Sequence, residues 1–387
     1  MSILAAAASP PRARWAVAAL FAVNGFLIGS WAPQIPLFLA RLGITEFTLG
    51  LLILGFGLGA LIAMPTAGYV IGRQGSRVTV AWFSFAAAFG LILVVAAPNV
   101  WTAAIAMVLF GGLVGGMDVS MNANAVAVER ALGRAIMSSS HGFWSLGGFA
   151  GGAAGGLVIE RFGPLAHAGL VTVLALAAVA LAVSQLGDDD RPEPHERQPL
   201  VLPRDPSLYL VGLIALFCMV PEGAVLDWAA LYLQQERGAS VANAGFAFAA
   251  FSAAMATMRF LGDRVRDRFG AVRTLRISAL IAAVGMLGAG LAPEAWMVIA
   301  AFSFAGLGIA NTVPIAFSAG GNHPGLPPGA GMSVVTTIGY SGILVAPSAL
   351  GFVGEHVGFA PIYVGVAAIL VAVSLLAGFA SAADHGS

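Results

Sequence analysis

The chain has 387 residues, 59% of them hydrophobic and only 9% charged, and its 18 basic and 18 acidic side chains balance at pH 7. A soluble domain carries about 25% charged residues, so water cannot be the solvent for most of this surface, and a zero net charge implies no nucleic acid or other strongly charged partner. One cysteine, Cys218, excludes an internal disulfide and a cysteine-based metal cluster, and six histidines without ligand spacing point to no metal and no cofactor.

The opening MSILAAAASPPRARW does not match the expected pattern of a signal peptide, because its charges follow the alanines and the apolar run after Arg14 is too long for an h-region. From there to the end, apolar stretches recur at the ~20-residue length that crosses about 30 Å of hydrocarbon. We place spans at 15–40, 47–72, 77–98, 100–128, 138–159, 164–186, 207–233, 241–262, 272–292, 295–320, 329–354 and 359–381. Turn chemistry and charge separate them, as at Arg41-Leu42-Gly43, Arg73-Gln74-Gly75, Ala97-Pro98-Asn99 and 160–164. Fifty glycines and twenty prolines suit membrane helices, where small residues permit close packing and neighbours satisfy freed backbone groups. The stretch 187–206 is charged, proline-rich and aperiodic, so it is expected to link an N-terminal six-helix bundle at 1–186 to a C-terminal one at 207–387. The expected fold class is an all-α membrane protein of twelve transmembrane helices in two pseudo-symmetric six-helix bundles.

Orientation follows from arginine, the only basic residue type used besides histidine. One side receives Arg12, Arg14, Arg73, Arg77, Arg130, Arg134, the linker arginines and the cluster from Arg264 to Arg276; the other receives Arg41, Arg161 and Arg237. The positive-inside rule therefore puts both termini and the linker in the cytoplasm. The halves are also repeats. Arg73 and Arg268, Gly75 and Gly270, Glu160 and Glu355, and Gly163 and Gly358 all share one offset, 195 residues. A constant offset is the mark of transporters built from repeated bundles.

Gly68-Tyr-Val-Ile-Gly72-Arg73-Gln-Gly75-Ser-Arg77 follows the second span, and Gly262-Asp263-Arg264-Val-Arg266-Asp267-Arg268-Phe-Gly270 follows the eighth. With two six-helix halves and a linker, these resemble the major facilitator superfamily and its G-x-x-x-D-R-x-G-x-R signature. Gly72 replaces the acidic residue in the first copy. Ser30-Trp31-Ala-Pro33-Gln34-Ile-Pro36, Asp118-Val-Ser-Met-Asn122-Ala-Asn124, His141-Gly-Phe-Trp144 and Glu222-Gly-Ala-Val-Leu-Asp227-Trp228 resemble a bacterial branch near the fucose-permease-like carriers. The resemblance implies alternating access and a cytoplasmic gate at Arg73, Arg77, Asp263, Asp267 and Arg268, to which Arg259 is added from its place near the inner end of the eighth span.

An ionisable group at bilayer depth is a functional candidate by default. Glu222, Asp227 and Asp118 are the candidates for proton coupling. The competing readings are a buried structural carboxyl for Glu222, a cap for Asp227, a clamp with Arg73 or another cytoplasmic arginine for Asp118 and simple snorkelling for Arg259. Glu222 and Asp227 lie about 140° apart on a helix, so Pro221 is expected to distort the seventh span if both are to meet one ligand. Asn24, Gln34, Asn122, Asn124, Asn311 and Tyr340 are candidate substrate contacts, although such residues more often make interhelical hydrogen bonds. Trp31, Trp144 and Trp228 could stack on a ring or mark an interface. The glycines from Gly147 to Gly156 are expected to permit close helix contact.

No G-x-x-x-x-G-K-[ST] loop and no lysine exist, which argues against ATP drive. No nucleophile–base pair supports an enzyme. The expected function is secondary active transport of a small polar solute, sugar-like or organic, by proton symport through a monomer in the bacterial inner membrane. Proton-driven efflux of lipophilic compounds and a transporter-fold sensor are the alternatives.

Overall fold

Inside hydrocarbon every backbone donor and acceptor must be satisfied within the chain, and helices do this segment by segment. The computed structural model describes residues 10–186, 203, 205–324, 326 and 330–384, with Pro10 and Asp263 described in backbone only. The linker expected at 187–206 lies almost wholly outside the described residues. Twelve helices are long and apolar enough to cross a membrane: α1 Pro11–Leu42, α2 Glu46–Gln74, α3 Ser76–Ala96, α4 Val100–Leu132, α5 Met137–Phe162, α6 Pro164–Val183, α7 Pro206–Arg237, α8 Val241–Phe269, α9 Ala271–Leu291, α10 Ala295–Gly321, α11 Ala330–Val357 and α12 Ala360–Asp384. The twelve expected spans are all present.

Two compact units divide the chain, one of Met1–Ile44 with Leu52–Glu196 and the other of Thr45–Leu51 with Arg197–Ser387. In the first, α1 and α5 meet backbone to backbone. A Cβ on Gly147 would strike the carbonyl of Ala22, and one on Gly25 would strike that of Trp144. In the second, α7 and α11 make the equivalent contact, with Gly342 against Leu216. Gly111 of α4 lies on the Phe56 carbonyl of α2, and Gly306 of α10 lies on the Phe251 carbonyl of α8. Gly147 and Gly342, Gly111 and Gly306, and Phe56 and Phe251 keep the 195-residue offset, and Ala22 and Leu216 come within one residue of it, so the repeat extends from sequence to helix crossings.

Backbone conformation repeats as well. Gly43 and Gly238 have φ of 61° and 62°, Gly75 and Gly270 have 86° and 77°, and Gly163 and Gly358 both have 84°. A side chain at φ > 0 is strained, so each turn demands glycine. Outward-facing apolar side chains cover both units. Trp101 and Trp296, again 195 apart, are 78% and 66% exposed at the starts of α4 and α10, where tryptophan suits the membrane–water boundary. The core of the second unit gathers Leu208, Val211, Ala215 and Cys218 of α7 against Leu275, Ile315, Val335 and Val373.

Three spans are interrupted, which hydropathy alone does not anticipate. In α1 a 3-10 turn at Ala32–Gln34 precedes Ile35–Leu42, where Pro33 and Pro36 lack N–H donors. In α3 regular helix stops at Ala87 and resumes at Gly90. The Ala88 carbonyl there accepts a bond from Thr172 Oγ1 of α6 at 2.9 Å. In α10 the helix ends at Ile309 and restarts at Thr312, because Pro314 has no N–H to donate to Ala310. At Pro221, where a distortion is expected, α7 does not break: it is one continuous α-helix with this proline inside it. Neighbouring helices hold such a proline without a break.

Candidate functional site in the second unit

Glu222 lies sixteen residues after the start of α7 and fifteen before its end, about 22–24 Å from either at 1.5 Å per residue. Arg259 lies ten residues before the end of α8. Helical Cα–Cβ bonds tilt toward the N-terminus, so its side chain reaches into the membrane-spanning body of the unit. Arg259 Nη2 comes to 3.6 Å from Glu222 Oε2, with the side chains 16% and 24% exposed. That distance exceeds the 2.7–3.2 Å of an N–H···O hydrogen bond. The two compensate each other's charge without being locked together.

One helical turn beyond Arg259 lies Gly262, and Asn311 from the break in α10 packs its Oδ1 directly on that glycine. Asn311 is 8% exposed, and its buried Nδ2 has no acceptor. An unpaired buried donor costs roughly 1–3 kcal/mol. Interrupted transporter helices are where such groups meet ligand. Glu222, Arg259 and Asn311 thus bring carboxylate, guanidinium and amide from three helices into one part of the unit.

Asp227 stands apart. It is 6% exposed, has no hydrogen bond or ion pair among the described residues, and lies one turn beyond Ala224, whose carbonyl accepts from Tyr363 of α12. Trp228 is fully buried, stacked on Phe359 at 5.4 Å and pressed against Gly351. Its environment is core. Tyr340 is 37% exposed, with its ring 6.2 Å from Phe317. Asp267 and Arg268 are exposed at the end of α8, Arg268 over the Phe269 ring at 5.8 Å. Asp263 is in the same helix, its side chain outside the described set.

In the first unit three candidates, Asn24, Trp144 and Gln34, are engaged with neighbouring helices. Asn24 accepts from Trp144 Nε1 at 2.9 Å and donates to the Val114 carbonyl at 3.4 Å, joining α1, α4 and α5. Gln34 Nε2 bonds the Pro164 carbonyl at 2.9 Å and His167 Nδ1 at 2.8 Å, joining α1 to α6. Trp31 is buried edge-on against Phe38. Asp118 meets Asn122, whose Nδ2 lies 3.3 Å from Oδ1 and 2.9 Å from the Asp118 carbonyl. The guanidinium of Arg73 covers the Tyr69 ring at 5.3 Å; the clamp between Asp118 and Arg73 is not formed. Arg77 is half-buried in the first turn of α3.

Sequence reasoning passed over several polar residues that the fold uses. Glu129 accepts from the amides of Ile136 and Met137 at the start of α5. Glu236 accepts from Phe359 and Ala360 at the start of α12. Asp384 accepts from Ala271 at the start of α9. Each neutralises orphan N–H groups at the positive end of a helix. Their signal was the placement of scarce acids at span ends. No cluster of metal-binding side chains occurs among the described residues.

Repeated helix units that hold compensated charge inside the hydrocarbon are the construction of a membrane carrier. The chain belongs to the Major Facilitator Superfamily, whose family model matches residues 15–347 and 213–385. It is 35% identical over 336 residues to a Yersinia pestis protein described as an uncharacterised MFS-type transporter, covering 87% of each chain. It is 34% identical over 343 residues to the membrane protein MosC of Rhizobium meliloti, covering 89% of this chain and 84% of that one. A mutant of the nucleoside transporter NupG shares the fold with a TM-score of 0.75 at 13% identity, covering 95% of this chain and 99% of that one. A bacterial homologue of the lysosomal transporter Spinster matches with a TM-score of 0.65 at 15% identity, over 97% of both chains. The chain is therefore a multi-pass bacterial membrane protein, a secondary transporter of a small solute and not an enzyme.

Proposed function

We propose that the chain is a proton-coupled symporter of a small polar solute in the bacterial inner membrane, acting as a monomer with both termini and the linker in the cytoplasm. The observation that carries this reading is the Glu222–Arg259 pair, 3.6 Å apart in membrane-spanning helices. A proton on the carboxyl removes one charge that faces the arginine, and its release restores it. Occupancy of Glu222 by a proton thereby changes what the guanidinium can bind, which is what coupling requires. The arginine asymmetry supports the orientation. The Glu222 and Asp118 segments support a place near the fucose-permease-like branch.

The test uses purified protein in liposomes loaded with a pH-sensitive dye and offered L-fucose, inosine and sodium lactate in turn. Wild type should carry protons inward with at least one of them. Glu222→Gln should still exchange that solute across the membrane while carrying no proton. Proton entry at the wild-type rate in Glu222→Gln would remove Glu222 as the coupling group.

A further inference from the structure

We infer that Arg14 and Arg134 hold the phosphate of an anionic phospholipid headgroup between α1 and α5. This goes beyond the transport reading and uses none of its coupling residues.

A guanidinium stays protonated in any protein environment. Arg14 stands three residues after the start of α1 and is only 8% exposed. Its Nη2 donates to Ser139 Oγ in the first turn of α5 at 2.6 Å, while its Nη1 is buried with no acceptor. A buried cation is ordinarily paired with a carboxylate, because uncompensated charge in a poorly solvated place is costly. Among the described residues no carboxylate pairs with Arg14. The described acids of the first unit are engaged or distant: Asp118 sits in the middle of α4 with Asn122, Glu160 is exposed at the far end of α5, and Glu129 accepts from the amides of Ile136 and Met137 at 2.7 and 3.2 Å. The charge that does act on Arg14 has the same sign: Arg134, exposed in the loop before α5, repels it. The rings of Trp15 and Phe143 lie 5.8 and 5.7 Å from Arg14 Cζ. Ring quadrupoles attract a cation but carry no net charge, so the positive surplus remains and an anion from outside the chain would relieve it.

Position selects the anion. α1 has 32 residues and spans about 48 Å at 1.5 Å per residue, well over the ~30 Å of hydrocarbon, so its first turn falls in the headgroup layer. Trp15, next to Arg14, is 64% exposed, as suits tryptophan at that level. Arg12 in the same turn and Arg130 in the last turn of α4 are exposed as well and add to the positive potential. Basic pockets between transmembrane helices at this level take phosphate headgroups, and the paired donors of a guanidinium fit phosphate oxygens. Room is available on the lipid side. Trp15 covers the guanidinium, and its exposed ring can swing aside to let a phosphate oxygen reach Nη1.

The test uses the full chain, purified and delipidated in an uncharged detergent. It is titrated with phosphatidylglycerol, with phosphatidylcholine, whose choline cancels its phosphate, and with inorganic phosphate. Melting temperature and the lipid retained in native mass spectrometry are read together. Phosphatidylglycerol should stabilise wild type and stay bound, and the other two at the same concentration should not. Arg134→Gln, in an exposed loop, should fold and weaken phosphatidylglycerol about fivefold, the worth of one interfacial arginine. Arg14→Gln should lose the response, and without lipid it should melt no lower than wild type, since it removes a buried charge. Arg161→Gln, at the other end of α5, should respond as wild type does.

Unchanged phosphatidylglycerol affinity in Arg134→Gln would overturn the inference. So would an equal gain from phosphatidylcholine. Inorganic phosphate acting through the same arginines while phosphatidylglycerol does not would give the pocket to a soluble anion and remove the lipid. If Arg14→Gln melts below wild type by the same amount with and without phosphatidylglycerol, Arg14 is a strut between α1 and α5, and the headgroup site is lost.

Discussion

Arg237 Nε donates to the carbonyl of Ala292 at 2.9 Å, and in the first unit Arg41 makes the matching bond to Ala97. Each arginine stands beside a left-handed glycine, Gly238 or Gly43, and each satisfies the carbonyl that closes its unit's third helix. Orphan carbonyls at a helix end are costly when buried. Arg237→Ala and Arg41→Ala should each lower stability by about 1 kcal/mol. The double variant should show the sum, since separate sites add. Thermal denaturation of the detergent-purified proteins checks this; a double variant no worse than either single would show that the two bonds are not independent supports.

The glycine contact between α1 and α5 gives a sharper contrast. Gly147 has no room for a Cβ beside the Ala22 carbonyl, whereas Gly169 in α6 has nothing within 4 Å. Gly147→Val should cost roughly 1–3 kcal/mol or more through forced separation of the helices. Gly169→Ala should be neutral or slightly stabilising. Folded yield and melting temperature decide it, and equal behaviour of the two variants would contradict the close packing.

How much of this was open to sequence reading depended on how local each cause was. The twelve spans and the 195-residue repeat were legible because hydrophobic length and positive-φ glycines act within a few residues. Glu222 and Arg259 were marked by their scarcity in apolar sequence, but that they pair depends on how α7 and α8 pack. Asn24 and Gln34 were open to a ligand contact or the commoner interhelical hydrogen bond, and their amides bond Trp144, Val114, Pro164 and His167. The same residue types serve either purpose, and only the neighbour distinguishes them. The break in α3 has no proline of its own and is met by Thr172 from another helix. Pro221 shows the reverse, a local breaker that the surrounding helices overrule.

The orientation proposed from arginine counts has a direct test. Reporter fusions after residue 195 and at the C-terminus should be active with a cytoplasm-only reporter and silent with a periplasm-only one. Activity of the periplasmic reporter at either site would reverse the assignment.

Acid should loosen the start of α7. Asp205 caps this helix: Oδ1 accepts from the Ser207 amide at 2.9 Å, and His323 Nε2 lies 3.6 Å from Oδ2. The Ser207 amide first, then its hydroxyl and His323, hold the Asp205 carboxyl below its ordinary value of 3.8. A depressed folded-state value means stability that is complete above the unfolded value and lost as pH falls through the folded one. Wild type should therefore lose a small increment of melting temperature below about pH 4. Asp205→Asn, which still caps, should not show that increment. Identical acid profiles would remove Asp205 as its source.

Asp227 separates coupling from core. Its carboxyl is 6% exposed and makes no hydrogen bond or ion pair among the described residues. Tyr363, on α12, spends its hydroxyl on the carbonyl of Ala224, one turn before Asp227. Glu222, by contrast, faces a cation and retains some exposure. A residue that loads and unloads protons needs both a route to water and a partner that senses the change, and Glu222 has the second at hand. Because Asp227 holds no partner that its loss would strand, Asp227→Asn should change stability by less than about 1 kcal/mol, well short of the cost of breaking a buried pair. It should also keep proton-driven accumulation at no less than about half the wild-type rate, a change in barrier well under 1 kcal/mol. Glu222→Gln, assayed in the same liposomes, should abolish accumulation while preserving exchange. If Asp227→Asn instead loses accumulation and keeps exchange, the proton passes through Asp227, and the Glu222–Arg259 pair is left with solute binding alone.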